Sequence, residues 1–542
     1  MKRTSTLVVT SALLASSVPL GLVAITAGPA HAAGRTYFVS PSGNDSNPGT
    51  SPGAAFRTIQ KAADNAGPGD TVSIMNGTYS ERSKGSNVLT VKRSGRAGAP
   101  ITFTAHPGHN PVIHPVHAWN GISVYGASYI TIKNLEVKGN SAALTLAGAE
   151  RDAKTSDFTY NTNCIWAEPN KATGSKPHHI NVVGNTVHHC PGLGIGSRGA
   201  DYMTIDRNHV YATSWYTVYA TSGISILAAH DIDRGNPRKY KIRVTNNRVH
   251  DNETRVKWER CKCYSDGNGI IIDTLKGKSK AGEKGPDYQG RVLVSNNLSY
   301  NNGGSGIHSY KSQHVDIVNN TAYKNGRSTR MESYANIFAH DSTDVRLLNN
   351  IAYGRPGQAT NSKSRNVDVT YDYNIYFGGK APEVKGPNDI IADPKLASPG
   401  TGASADFRLS KGSPAIGSGV PFAAVTTDLT EARRPGGAPD RGAYSFSTEG
   451  NDAAPGASAG KPASPGQQSS SPTEPSEGSD ADTSPSAEAS ATSADDSGLK
   501  PNGEGEPLAE TGGSSPVVPL GIAAAVLAVG GSILFAVRRK RS

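Results

Sequence analysis

Apolar and polar positions alternate along much of this chain in short runs that end in asparagine. The runs are Ile132-Lys133-Asn134, Val182-Val183-Gly184-Asn185, Ile205-Asp206-Arg207-Asn208, Val244-Thr245-Asn246-Asn247, Val294-Ser295-Asn296-Asn297, Ile317-Val318-Asn319-Asn320 and Leu347-Leu348-Asn349-Asn350. A period of two marks strands. From the second run on, the closing asparagines lie 23, 39, 50, 23 and 30 residues apart. The short steps suit one turn of a solenoid and the long ones a turn carrying a loop.

A second strand precedes each run from residue 194 onward: Gly194-Ile195, Gly223-Ile224, Gly269-Ile270, Gly306-Ile307 and Asn336-Ile337, each with two or more residues following. Each turn therefore holds at least two short strands joined at tight corners, and each pairs in parallel with the next turn. The asparagines stack at one corner, each side-chain amide bonding its equivalent above and below. The predicted architecture is an all-β parallel β-helix.

Alternate side chains of a strand face opposite ways. With the isoleucines inward, one outer column carries Gly196, Ser225, Ile271, His308 and Phe338. A second carries Arg198, Leu227, Asp273, Tyr310 and His340. Terminal turns of a solenoid need covers. Residues 35–79 supply one, with helical spacing from Phe56 to Ala66 and a strand at Thr71–Met75.

Both chain ends read as addresses. Residues 1–32 have the basic start, apolar stretch and Ala30-His31-Ala32 close of a secretory signal. Residues 447–507 are rich in Ser, Ala, Pro, Gly and acid, and such a segment cannot bury enough apolar surface to order itself. It is expected to be a disordered stalk. Leu508-Ala509-Glu510-Thr511-Gly512 precedes an apolar run at 517–537, long enough for a transmembrane helix, and a basic tail at 538–542. This set resembles a sortase sorting signal of the LAxTG type. The resemblance implies cleavage between Thr511 and Gly512 and joining of Thr511 to peptidoglycan, with the membrane held only by the precursor.

The 542 residues carry a net charge of +10, and 61 Gly and 34 Pro argue against a helical bundle. Residues 34–446 hold 47 Lys and Arg against 33 Asp and Glu, while residues 447–512 hold 2 against 12. A basic exported domain beside an acidic tether points to an anionic glycan, an acidic polysaccharide or a cell-wall polymer, and not to nucleic acid.

Residues 35–79 and the closing segment, Phe407-Arg408-Leu409 with Ser413-Pro414-Ala415-Ile416 and Asp440-Arg441-Gly442-Ala443-Tyr444, resemble exported right-handed parallel β-helix proteins. These include family 9 polysaccharide lyases and the wider pectate-lyase-like superfamily. The resemblance covers residues 35–446. It implies a single-stranded right-handed parallel β-helix with a short N-terminal capping helix: cap and first turns over 33–115, core over 116–380 and closing segment over 381–446.

A lyase acting on an acidic polysaccharide neutralises the uronate carboxylate, removes the C5 proton and stabilises the leaving oxygen. Asp266, Asn268 and Asp273 are candidate calcium ligands. Lys311 and His308 are candidate bases, with His340 and Asp273 as column neighbours. Trp215, Tyr216 and Tyr219, on a loop before a Gly-Ile strand, are candidates to stack on sugar rings, with Tyr310 and Arg198 as further substrate contacts. Arg255, Lys257, Arg260 and Lys262 form a basic cluster facing the same ligand class. Family 9 members carry an aspartate run of the form DDGxD and a lysine one or more turns later. The matching stretch here, Asn302 to Ile307, has no carboxylate, and Asn336 to His340 has no lysine. A glycoside hydrolase remains open, as does a non-catalytic glycan-binding or surface-structural protein.

The four cysteines are Cys164, Cys190, Cys261 and Cys263. One residue between Cys261 and Cys263 leaves little room for a direct bond, so cross-pairs between neighbouring loops are expected. His188, His189 and Cys190 match no familiar zinc spacing.

Overall fold

The computed structural model describes residues 34–155, 157–276, 287–331, 334–402 and 404–447. The expected signal segment, the stalk beyond residue 447, the sorting motif with Thr511 and Gly512, the apolar run and the basic tail lie outside them. Among the described residues no helix is long and apolar enough to cross a membrane.

Three parallel sheets wrap one continuous core. The long-strand sheet has 11 strands, from Thr36–Val39 to Val367–Asp372. The short-strand sheet also has 11, from Thr78–Tyr79 to Ile390–Ile391, and the third has eight, from Leu89–Val91 to Ile337–His340. A turn runs through one strand of each: Ile195–Arg198, then Asp201–Asp206, then His209–Tyr211. The third strand of each turn is too short to show a period in sequence. Inward columns such as Ile130, Ile180, Met203, Ile242, Val292, Val315 and Val345 are fully buried, so β-branched and long apolar chains fill the bore.

The asparagine corner is a continuous ladder. Asn185 Nδ2 donates to Asn208 Oδ1, Asn208 to Asn247, Asn247 to Asn297, Asn297 to Asn320, Asn320 to Asn350 and Asn350 to Asn374, each at 3.0 Å. Asp389 ends it, accepting from Asn374 at 3.2 Å. Each amide also serves the backbone of its neighbours, which satisfies a corner otherwise left with unpaired groups. Asn134 is a correction: its run is one residue shorter, so Leu135 takes the ladder position and donates its N–H to Asn185 Oδ1 at 3.1 Å.

The residue before each ladder asparagine has positive φ: Gly184, Arg207, Asn246, Asn296, Asn319, Asn349 and Tyr373. Asparagine tolerates this conformation better than most residues. Three of these outer asparagines hold the closing segment. Asn296 Nδ2 donates to the Thr427 carbonyl at 2.8 Å, Asn319 to Asp440 at 2.9 Å and Asn349 to Val420 at 2.8 Å. The doubled Asn-Asn thus has one inward and one outward task.

The helix of the N-terminal cap spans Ile59–Asn65, with Thr58 accepting from Lys61 N–H. It starts later than the spacing predicts because Phe56 is drawn into a parallel bridge with Val39. At the other end, the antiparallel pair Leu396–Ser398 and Asp406–Leu409 sets Phe407 against Tyr300 and Tyr323 on the short-strand sheet.

Candidate functional site

The register of the eight-stranded sheet builds the site. Gly196 pairs with Ser225, Ser225 with Ile271, Ile271 with His308 and His308 with Phe338. Arg198 pairs with Leu227, Leu227 with Asp273, Asp273 with Tyr310 and Tyr310 with His340. Both columns fall where strand alternation puts them, about 4.8 Å apart per turn. The earlier strand Asn163–Glu168 extends them with Trp166 and Glu168. Cys164 stands there where the later turns have glycine, so the Gly-Ile pattern passes over it.

The face has a half-open end and an enclosed end. Glu168, Arg198 and Ser225 are half-buried. Burial pushes the Glu168 carboxyl up, opposed by Lys171 and Arg198. Burial also pulls the Arg198 guanidinium down, with Glu168 opposing and Arg260 adding to the pull. Two to four turns beyond Arg198, Asp273 is 0% exposed, Tyr310 2%, Phe338 2%, His308 5% and His340 8%.

His308 is held by a chain of polar groups. Asn268 Oδ1 accepts both the Ser305 N–H at 2.8 Å and the Ser305 hydroxyl at 2.9 Å. With its proton so used, Ser305 Oγ accepts from His308 Nδ1 at 2.5 Å. The Nε2 lone pair is then the basic position of a neutral ring. Phe338 stacks on that ring at 4.7 Å. Burial, with His340 adding to it, pulls His308 down to about 3. His340 is lowered by burial too, and stacks on Tyr310 at 5.5 Å. Its Nε2 is enclosed without a hydrogen-bond partner. Lys311, at the strand end with φ of 45°, sets Nζ 5.1 Å from the Tyr310 ring.

The proposed calcium ligands do not form one shell. Asp266 accepts from Ser265 Oγ at 2.9 Å, Asn268 Nδ2 at 3.2 Å and Ser222 Oγ at 3.4 Å. Burial pushes its carboxyl up to about 7, which opposes the ionised form a calcium site needs. The Asn268 carbonyl is taken by Ser305. Asp273 lies five residues beyond Asn268, roughly 16 Å along an extended strand, and accepts from Thr274 Oγ1 at 2.7 Å. No step is assigned to calcium on this set. Among the described residues no group of three or more His, Cys, Asp or Glu is placed to hold a metal.

The aromatic loop is a correction. Tyr216 and Tyr219 are buried with Ala149, Val218 and Val256 and pack beneath the loop. Trp215 is half-buried, donates Nε1–H to the Asp251 carbonyl at 3.0 Å and lies 3.9 Å under Arg255. The disulfides differ from expectation as well. Cys164 bonds Cys190 and Cys261 bonds Cys263. The exposed loop at Cys261 turns tightly, with Lys262 at positive φ, and this brings its flanking cysteines together. The first bond removes Cys190 from any zinc set.

A third outward column escaped the sequence reading. On the short-strand sheet His188, Tyr211, His250, Tyr300, Tyr323, Tyr353 and Phe377 occupy one register position on successive turns. His188, Tyr211, His250 and Tyr300 form a face-to-face stack with centroids 4.5–5.1 Å apart. A second asparagine ladder, Asn252 to Asn302 to Asn325, runs beside it at 2.8 Å per step.

A family model described as Pel9A-like, right handed beta helix region, matches residues 37–190, and one described as right handed beta helix region matches residues 120–276. The chain is 25% identical over 421 residues to Pectate lyase L of Paenibacillus polymyxa, covering 72% of this chain and 84% of that protein. A 98-residue stretch is 42% identical to the uncharacterized protein YwoF of Bacillus subtilis and covers 18% of each chain. Of solved structures, that of pectate lyase Pel9A is similar at 18% identity and a TM-score of 0.45, covering 77% of this chain and 97% of that one. The fold is a right-handed, pectate-lyase-like parallel β-helix.

Proposed function

We propose that this protein acts on an acidic polysaccharide laid along the outer face of the eight-stranded sheet, and that it cleaves it by elimination. The observation that carries this is the placement of Arg198, Asp273, His308, Tyr310 and His340 on that one face. Similarity to a protein named as a pectate lyase supports the ligand class. Arg198 pairs with a uronate carboxylate. His308 Nε2 takes the C5 proton, the electron pair forms the C4–C5 double bond, and the C4–O bond breaks as the leaving oxygen takes a proton from the Lys311 ammonium beside Tyr310. A ring held neutral to a pH of about 3 is a weak base. An entering carboxylate favours the imidazolium and strengthens it.

The enclosure of Asp273, His308 and His340 favours a second reading, glycan binding without cleavage. Incubation with polygalacturonate, with calcium and with chelator, separates the two. Rising ultraviolet absorbance from the unsaturated product marks the lyase. Retention on a polygalacturonate affinity gel without product marks the binder.

Export and attachment to peptidoglycan through Thr511 belong to the same proposal, supported by the pattern at 508–542. Release from cells by a wall-digesting enzyme but not by detergent, with a wall fragment on Thr511 by mass spectrometry, is the expected result.

A further inference from the structure

A cleft of about 590 Å³ opens where the strands Asn120–Tyr125, Asn163–Glu168 and Ile224–Leu227 end and the chain turns toward the long-strand sheet. It lies within the ~300–1,000 Å³ range of small-molecule sites. Tyr129, Ser175, Lys176, His178, His230 and Asp231 are among its lining. None of these belongs to the two columns of the outer face.

The lining carries one ammonium, Lys176, and one carboxylate, Asp231, and they are partnered differently. Asp231 pairs with Lys241 Nζ at 2.8 Å and accepts from the Gln289 N–H at 2.7 Å. Lys241 also holds Asp201 at 2.6 Å and Asp233 at 2.8 Å, so one ammonium serves three carboxylates. Lys176 has no carboxylate partner among the described residues. Burial alone lowers its pKa, with no acidic group opposing. Lys176, His178 and His230 line the same cleft; burial lowers both histidines, the Lys176 charge adds to this at His230, and Asp201 opposes at both with Asp231 opposing at His230. Tyr129 adds an aromatic wall, stacked on His179 at 4.5 Å.

We propose that this cleft is a second, separate binding site for a carboxylated sugar unit. Lys176 meets the carboxylate, His178 and His230 meet hydroxyls, and Tyr129 lies against the ring, as aromatic side chains do in sugar sites. The inference shares with the proposed function only the ligand class, an acidic glycan. The cleft sits at the strand ends beyond Glu168 and Arg198, so a polymer leaving the outer face there can enter it.

Titration calorimetry of the full-length chain with trigalacturonate tests it, using wild type, Lys176→Met, Lys176→Arg and Arg198→Met. Two equivalents are expected for wild type. Lys176→Met weakens one of them about tenfold, the size of a lost charge-assisted bond, and Lys176→Arg restores it. A single equivalent lost in Lys176→Met but kept in Arg198→Met upholds the cleft and removes the outer-face reading. A single equivalent untouched by Lys176→Met overturns the cleft. So does equal binding of the carboxyl-reduced trisaccharide, or no binding by wild type.

Discussion

His209 and His250, on adjacent turns of the short-strand sheet, aim their Nε2 atoms at each other at 2.8 Å. Asp251 accepts from His250 Nδ1 at 2.6 Å, so His250 Nε2 is the acceptor and His209 Nε2–H the donor. Protonating His250 at Nε2 sets two N–H groups face to face. Burial pulls His209 down to about 3, helped by His250 and Arg248, and burial also lowers His250 against the pull of Asp251.

An acid-labile fold follows. For a base whose folded pKa is depressed, stability is present above the unfolded value near 6.5 and is lost as pH falls toward the folded value. His209 alone forfeits roughly 3 kcal/mol between neutrality and pH ~4. Melting temperatures across that range should fall steeply in wild type and less steeply in His209→Gln. Equal slopes would show that the pair is not the source.

Asp266 has the opposite sign. Its folded carboxyl sits at about 7, so its contribution is fully present below the unfolded value near 3.8 and is lost as pH rises through 7. The full effect is on the order of 4 kcal/mol. Asp266→Asn should therefore raise the melting temperature at pH 8 and change it little at pH 4. A variant destabilised equally at both values would place the role of Asp266 in geometry and not in charge.

The asparagine ladder carries more weight than its exposed neighbours. Asn297 Nδ2 donates to the Val244 carbonyl at 2.8 Å and to Asn320, while its Oδ1 accepts from Asn247. Truncation leaves these buried groups unpaired, each costing about 1–3 kcal/mol. Asn297→Ala should lower the urea midpoint sharply. Asn388→Ala, whose exposed amide serves only Asp372, should move it by less than about 0.5 kcal/mol.

Much of this was legible from residue type alone. The outer columns followed from period-two alternation and one anchor, the inward isoleucine after glycine, and every pairing agrees with it. The Asn ladder was legible because each step repeats the same local run, and it failed at Asn134, where that run is one residue short. The His188-to-Phe377 stack was not legible, since three-residue strands carry no period. Nor was the burial of His308 and Tyr216, because alternation assigns a side chain to a face without showing what lies over it. Cys261–Cys263 was misread because backbone closure at Lys262 depends on a positive φ that residue types alone do not show.

The two disulfides should differ in worth. Cys164–Cys190 closes a separation of 26 residues and Cys261–Cys263 one of 2. Loop-closure entropy assigns the first on the order of 3–4 kcal/mol and the second roughly half or less. Denaturation of Cys164→Ala/Cys190→Ala should show the larger loss, and Cys261→Ala/Cys263→Ala a small one.

Lys311 and His308 both lie on the proposed reacting face, but only His308 is fixed through Ser305 and Asn268 with a lone pair at Nε2. A positioned base contributes about 10²–10⁴-fold. His308→Ala should cut kcat/KM on polygalacturonate at least a hundredfold. Ser305→Ala, which frees the ring to turn, should cut kcat while leaving KM nearly unchanged. Lys311→Ala, acting beside the leaving oxygen, should cost less than His308→Ala. The reverse order would move the base to Lys311 and leave His308 a packing residue under Phe338.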